Sequence, residues 1–237
     1  PFTPVTAVTG VAWLTSIFVL PKADSVTIGV NPREVMDEDT TRALTIRMKS
    51  TDPTEVFDAD IKGKAILESY AYYLEASKLD QLPDAKGKVK LKYTKDIKAS
   101  LKDYYKVPQN LISYGATLYD KKNYEGALQV FETYLEIPKL PLMNNEISMT
   151  DSSYKMIKYY AAIAAKNAKK DDKALALLNS LKTDNYETLT VYQLLYEQYS
   201  AMKDTVNSAK TLKEGFDKFP SEAWFLQNLI NQLIYSG

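Results

Sequence analysis

The residue types that most often carry enzymatic chemistry are missing from this chain of 237 residues. It contains no histidine and no cysteine. Histidine is the usual general base near neutral pH, and both residues are common metal ligands. Serine-triad, cysteine-protease and zinc-hydrolase mechanisms therefore each lack an essential group. The sequence predicts a protein that is not an enzyme and that has no catalytic, cofactor-binding or metal-binding residues.

Two short motifs imitate ligand-binding loops without completing them. Residues 58–63 (DADIKG) begin like a calcium loop, but Lys62 occupies a ligand position and the twelfth position is Ser69 rather than glutamate. The segment around Gly87 lacks the first glycine and the Ser/Thr of a nucleotide-binding loop. We expect neither calcium nor nucleotide binding.

Charge is balanced over the chain and unbalanced in one tract. Lys+Arg and Asp+Glu both number 30, so the net charge is zero and no nucleic-acid partner is predicted. Eight lysines nevertheless fall within residues 86–106, where only Asp96 and Asp103 oppose them. We interpret this tract as a solvated connector and helix face, with an anionic partner, acidic lipid or phosphate, as the alternative.

The stretch 110–138 gives the clearest structural pattern. Gly115 and Ala127 are twelve positions apart, and Phe131 follows four residues later. Residues 121–123 (KKN) separate two amphipathic runs. This pattern predicts two short antiparallel helices joined by a tight turn, with small residues where the helices cross closely.

The same pattern recurs along the chain. It is repeated at Ala162, Ala174 and Leu178 and at Tyr196, Ser208 and Leu212. Ala162, Tyr196 and Ile230 follow at steps of 34 residues, the period of tetratricopeptide repeats. We expect repeats at about 108–141, 155–188 and 189–222, and a partial repeat at 223–237. About thirteen residues, including 141–145 (PLMNN), are inserted between the first two repeats and predict a loop able to carry contacts.

The predicted fold is all-α: a right-handed α-solenoid of antiparallel helix pairs preceded by an irregular or extended N-terminal arm. Residues 1–50 form the arm, an anchor or an export remnant. Residues 51–107 form N-terminal helices with the basic connector, and residues 108–237 form the repeats.

The first fifty residues support several interpretations. Residues 1–21 are uncharged, which fits an extended arm, an export or anchor remnant, or a membrane-spanning helix. Residues 25–30 favour an extended segment and residues 40–48 a helix. Membrane association through residues 1–20, or through a lipid anchor outside this chain, is therefore part of the prediction.

The last helix of the solenoid is expected to need a cover. Its apolar residues, Leu226, Leu229, Ile230 and Leu233, would lie open in a partial repeat. We therefore expect either further repeats after residue 237 or a partner at this end.

The surface that we expect to bind a partner is the concave groove of the solenoid. The first helix of each pair lines that groove, and its exposed positions flank the small crossing residue. The predicted groove residues are Ile112, Tyr119, Tyr159, Ile163, Lys166, Asn167, Gln193, Glu197, Trp224, Gln227 and Asn231, together with Gln109, Asp120 and Ser200. Their tyrosine and amide groups suit an extended peptide or a partner helix, with a sugar as the alternative.

Three stretches resemble the exported tetratricopeptide proteins of Bacteroidota cell envelopes, a narrower group within the tetratricopeptide proteins. The stretches are residues 79–90 (LDQLPDAKGKVK), 157–164 (IKYYAAIA) and 228–232 (NLINQ). The resemblance implies a periplasmic or outer-membrane-associated location, further repeats and no established enzymatic activity. The lysines and asparagines of chaperone-tail-binding repeats are absent at the matching positions, so a chaperone's acidic C-terminus is not an expected ligand.

Two functions follow as hypotheses. The first is a non-catalytic scaffold that holds a protein or peptide partner in an envelope complex. The alternative is an accessory subunit of an outer-membrane importer that captures glycans or other nutrients on its aromatic residues.

Overall fold

The structure is a computed structural model, and it describes residues 4–5, 17–18, 26–30, 46–50, 59–84 and 86–236. The chain divides into two compact units, Pro1–Lys106 and Val107–Gly237. Apart from turns and one isolated bridge, residues 59–84 and 86–236 form helices, which confirms the predicted helical class for this part of the chain.

The first unit begins with two pairs of antiparallel strands. β1 (Pro4–Val5) pairs with β2 (Ile17–Phe18), and β3 (Val26–Val30) pairs with β4 (Ile46–Ser50) so that Val30 lies opposite Ile46. β3 falls within the segment predicted to be extended. The prediction of a helix over 40–48 is wrong for its last three residues, because backbone pairing with β3 places them in a strand.

The other predictions for the first fifty residues, including the export or anchor remnant, depend on residues outside those that the structure describes.

Two helices follow in the first unit, α1 (Ala59–Leu79) and α2 (Thr94–Lys106). The buried carboxylate of Asp80 joins them, because it accepts hydrogen bonds from the backbone N–H groups of Lys92, Tyr93 and Thr94 at 3.0, 3.0 and 2.8 Å. It also accepts one from the Thr94 hydroxyl at 2.7 Å. The end of α1 is thereby tied to the start of α2.

The second unit consists of seven helices within the described residues 107–236. They are α3 (Leu111–Asp120), α4 (Tyr124–Glu136), α5 (Ser152–Asn167), α6 (Asp171–Thr183), α7 (Thr188–Ala201), α8 (Thr205–Lys218) and α9 (Ala223–Ser236). Each helix packs against the next in chain order. The order of packing places α3, α5, α7 and α9 at alternate positions along the unit.

One turn geometry recurs in this unit. Lys122, Lys169 and Lys203 each follow a helix and adopt the left-handed conformation, with φ of 60°, 57° and 60°. The residue after each lysine donates its N–H, at 2.9 Å in all three cases, to the carbonyl five residues earlier, which closes the end of α3, α5 and α7. Asn123 and Asp204 then cap the following helix by accepting a hydrogen bond from a backbone N–H.

Small residues lie where α3 crosses α4 and where α8 crosses α9. A Cβ atom added to Gly115 would overlap the buried ring of Phe131, and one added to Gly215 would overlap the ring of Phe225 in the same way. A larger residue at either crossing would force the aromatic ring or one of the two helices to shift. Ala162 and Ala174 are also buried, with exposed fractions of 1% and 0%.

The insertion between α4 and α5 is more compact than a free loop. It contains two 3-10 turns, Ile137–Lys139 and Pro141–Met143. Ile137 and Met143 are fully buried and Ile147 is 7% exposed. These apolar side chains tie the insertion to the core, so it offers less free surface than the predicted contact loop.

Candidate functional site: the first-helix face

We use the name first-helix face for six predicted groove residues. Each either forms a polar contact with a different helix or lies near another aromatic ring. The first-helix face consists of Tyr119 on α3, Tyr159, Lys166 and Asn167 on α5, Glu197 on α7, and Trp224 on α9. None of these six side chains is fully buried. Two of them, Tyr159 and Trp224, also pack against the buried clusters of the unit.

Polar contacts join alternate helices across this face. The Asn167 side-chain amide donates a hydrogen bond to the Tyr119 hydroxyl at 2.8 Å, which links α5 to α3. Lys166 forms an ion pair with Glu197, which links α5 to α7. The predicted residues thus meet across helices that are not consecutive in the chain, as the side chains of one shared surface would.

Aromatic rings cluster in the middle of the face. The Tyr159 ring lies 6.3 Å from the Tyr186 ring and 6.0 Å from the Tyr160 ring. Burial raises the pKa of Tyr159, and the charge of Glu187 raises it further. Burial also raises the pKa of Tyr119. These hydroxyls therefore stay protonated at neutral pH, and each can both donate and accept a hydrogen bond.

Tyr186 was not among the predicted groove residues. It lies in the turn after α6, outside the helical periodicity that selected the others. The only sequence signal was Asn185 before it, which adopts the left-handed conformation with φ of 51° and turns the chain back towards α7.

The last helix contributes one aromatic and two amide groups. The Trp224 ring lies edge-on to the Tyr196 ring, with centroids 5.5 Å apart, and also contacts Phe225. The Gln227 amide donates a hydrogen bond to the Asn231 side-chain oxygen at 3.1 Å. Trp224 is therefore partly engaged in packing, and less of its ring is available to a ligand.

The other predicted groove residues differ in placement. Ile112, Ile163 and Gln193 are half-buried, and Gln109 and Asp120 are exposed. Ser200 is exposed, and its hydroxyl forms a hydrogen bond with the Ser208 hydroxyl on α8 at 2.8 Å.

The open apolar face predicted for α9 is present in part. Leu226 and Ile230 are 46% and 43% exposed. Leu229 instead packs against the buried cluster of Tyr192, Leu212 and Phe225. That further repeats or a partner cover this face remains a prediction.

Ion pairs link the second helices α4, α6 and α8 to their neighbours. Lys173 on α6 contacts Glu132 on α4 at 2.7 Å, and Lys182 on α6 pairs with Glu214 on α8.

On the first-helix face the opposite charges of Lys166 and Glu197 compensate each other, and the remaining members are neutral aromatic or amide groups. That face therefore has no net charge with which to select an ion.

Comparisons of the chain with protein-family models, with curated proteins and with solved structures found no match. Among the helices that the structure describes, none has the length and apolarity needed to cross a membrane.

Proposed function

We propose that residues 108–237 form a right-handed tetratricopeptide-type solenoid that binds a protein or peptide partner on the first-helix face, without catalysis. The observation that carries this proposal is the linkage of α3, α5 and α7 through Tyr119–Asn167 and Lys166–Glu197. The recurring left-handed turn at Lys122, Lys169 and Lys203 supports the repeat.

The chemistry of the face favours a polypeptide ligand. An extended peptide presents alternating N–H and C=O groups, and the Asn167 amide and the tyrosine hydroxyls can bond to either kind. Half-exposed rings such as Tyr159 add contact area at a small cost in side-chain entropy. Because Lys166 and Glu197 neutralise each other, neither charge needs a counter-ion from the ligand.

We further propose that this binding takes place in the cell envelope, in the periplasm or at the outer membrane. The support is the resemblance of residues 79–90, 157–164 and 228–232 to exported tetratricopeptide proteins of Bacteroidota. In this proposal the protein is a scaffold within an envelope complex.

A photo-crosslinking amino acid at position 193 tests the face directly. Gln193 lies on the first helix α7, one helical turn before Glu197 of the first-helix face. Gln129 lies exposed on the second helix α4 and serves as the control position. With native envelope extract, we expect a discrete crosslinked partner from position 193 and none from position 129. The double substitution Tyr159→Ala/Glu197→Ala should reduce that product about tenfold or more, as expected for binding hot spots.

The paired control substitutes Glu132→Ala/Val206→Ala, which removes one ion-paired carboxylate and one exposed aliphatic group from second helices. This variant should crosslink as well as the native chain. Equal yields from positions 193 and 129, or an unchanged yield in the Tyr159/Glu197 variant, would exclude the first-helix face as the binding surface.

The cluster of Tyr159, Tyr160 and Tyr186 favours glycan or nutrient capture as a second candidate function. Sugar rings stack on half-exposed aromatic rings. We expect a titration with a glycan panel to shift the fluorescence of Trp224, with Trp224→Phe separating its signal from that of Trp13. If no glycan shifts the emission, the polypeptide ligand is retained and the capture function is discarded.

A further inference from the structure

The connection between α1 and α2 exposes apolar and basic side chains together. Within its described residues 81–84 and 86–92, Leu82, Val89 and Leu91 are 60%, 54% and 58% exposed. Val89 and Leu91 alternate in sequence with Lys88, Lys90 and Lys92. We call these described residues the α1–α2 loop.

Polar contacts hold this loop in one shape. The Asp84 carboxylate accepts hydrogen bonds from the N–H groups of Lys86 and Lys88 at 2.9 and 3.0 Å and forms an ion pair with Lys90 at 2.8 Å. The Lys90 ammonium and these N–H groups lower the pKa of Asp84 to about 2. Because Asp80 also holds the far end of the loop, the exposed apolar side chains lie on an ordered segment.

The loop and α2 also hold the strongest charge imbalance that we find in the chain. From residue 81 to residue 106 there are eight lysines against three aspartates, an excess of five positive charges in a chain whose net charge is zero. An excess of this size attracts anions over a distance of about one Debye length. The apolar groups among the lysines indicate that the partner also has an apolar layer.

We propose that the α1–α2 loop docks on the surface of a bilayer containing anionic lipids. Leu82, Val89 and Leu91 enter the boundary between headgroups and acyl chains, while Lys86 and Lys88 contact the headgroup phosphates. Lysine suits this task because its long apolar stem lies in the interface and its ammonium reaches the charged layer.

The composition of the loop favours a bilayer over a protein partner. Binding hot spots between proteins are enriched in tryptophan, tyrosine and arginine, whereas lysine is depleted in their cores. Residues 81–92 contain none of the three enriched types and four lysines. This docking goes beyond the scaffold function, because it uses the first unit and none of the residues of the first-helix face.

Vesicle co-sedimentation of the full chain tests the proposal. We expect binding to phosphatidylcholine vesicles containing about one third phosphatidylglycerol and little binding to phosphatidylcholine alone. Lys86→Gln/Lys88→Gln should weaken the partition coefficient about 25-fold at low salt. Val89→Ser/Leu91→Ser should weaken it about tenfold or more, since both lose apolar contact with the interface.

Matched controls distinguish binding through the α1–α2 loop from nonspecific adsorption to the vesicles. Lys64→Gln/Lys210→Gln removes two exposed lysines elsewhere, and Val206→Ser removes an aliphatic group that is 76% exposed on α8. Both should bind like the native chain, and circular dichroism should show equal helix content in all variants. Three results would overturn the proposal. The first is no sedimentation with anionic vesicles, and the second is an equal loss of vesicle binding in the control variants. The third is a loss of binding in the Lys86/Lys88 variant but not in the Val89/Leu91 variant, which would indicate a purely ionic partner.

Discussion

Gly115→Leu is expected to lower the free energy of unfolding of the unit Val107–Gly237 by about 3 kcal/mol, the upper end of the range for overpacked cores. The first atom of any side chain at this position would already overlap the ring of Phe131. That ring is 3% exposed and is held between α3 and α4, so it cannot move aside without opening the crossing. Urea unfolding followed by circular dichroism measures the change.

Two further variants decide whether the crossing is the cause. Ala116→Leu introduces the same side chain one residue later, on the exposed side of α3, and should change the stability by less than about 0.5 kcal/mol. Gly115→Ala/Phe131→Leu should be more stable than the sum of the two single changes predicts, because the smaller side chain makes room for the new methyl group. Equal effects of leucine at positions 115 and 116 would mean that α3 and α4 are paired differently.

The glycine at this crossing shows which part of the fold could be predicted from the sequence. The spacing of Gly115, Ala127 and Phe131 carries information because only small residues allow two helix axes to approach, and only a large apolar residue fills the space beside them. The same reasoning selected Ala162 and Ala174, which are fully or almost fully buried. Close packing at a helix crossing depends on residues at fixed spacings in the sequence, so a repeated spacing predicts it directly.

The turns between the helices could not be predicted in detail. Left-handed residues at helix ends are usually glycine or asparagine, yet this unit uses Lys122, Lys169 and Lys203. A lysine in the left-handed region costs about 1 kcal/mol or more, and the cost is offset by the carbonyl that the next N–H satisfies. Because a backbone hydrogen bond offsets this cost, the left-handed conformation of these lysines cannot be predicted from their residue type.

The candidate site was predictable where helical periodicity applies and not elsewhere. Periodicity placed Tyr119, Asn167, Lys166 and Glu197 on one side of their helices, and the structure joins them in pairs. Tyr186 lies in a turn, where no period defines a direction.

Long-range polar contacts are the other feature that sequence reasoning missed. Asp80 stands twelve to fourteen residues before the groups that it binds. No pattern of apolar residues marks it, and in the sequence it is one acidic residue among 30. Its role follows only from the geometry that brings the end of α1 to the start of α2.

The second large effect is therefore expected from Asp80→Ala, which should destabilise the junction of α1 and α2 by about 3 kcal/mol. The carboxylate accepts four hydrogen bonds at a site that is only 8% exposed. Without it, the N–H groups of Lys92, Tyr93 and Thr94 lose their acceptor, and water reaches this buried site poorly. A single buried donor left without a partner already costs about 1–3 kcal/mol.

Hydrogen exchange at the amides of Tyr93 and Thr94 reports on this junction separately from the second unit. Protection there should fall about 100-fold in Asp80→Ala, whereas Glu68→Ala, an exposed acidic residue on α1, should leave it unchanged. Asp80→Asn tests the need for two acceptor oxygens: its side-chain oxygen can still accept from Tyr93 and Thr94, whereas its nitrogen would face the Lys92 N–H, so protection should be restored only in part. Native protection in the Asp80→Ala variant would show that the two helices are held together by their apolar contacts alone.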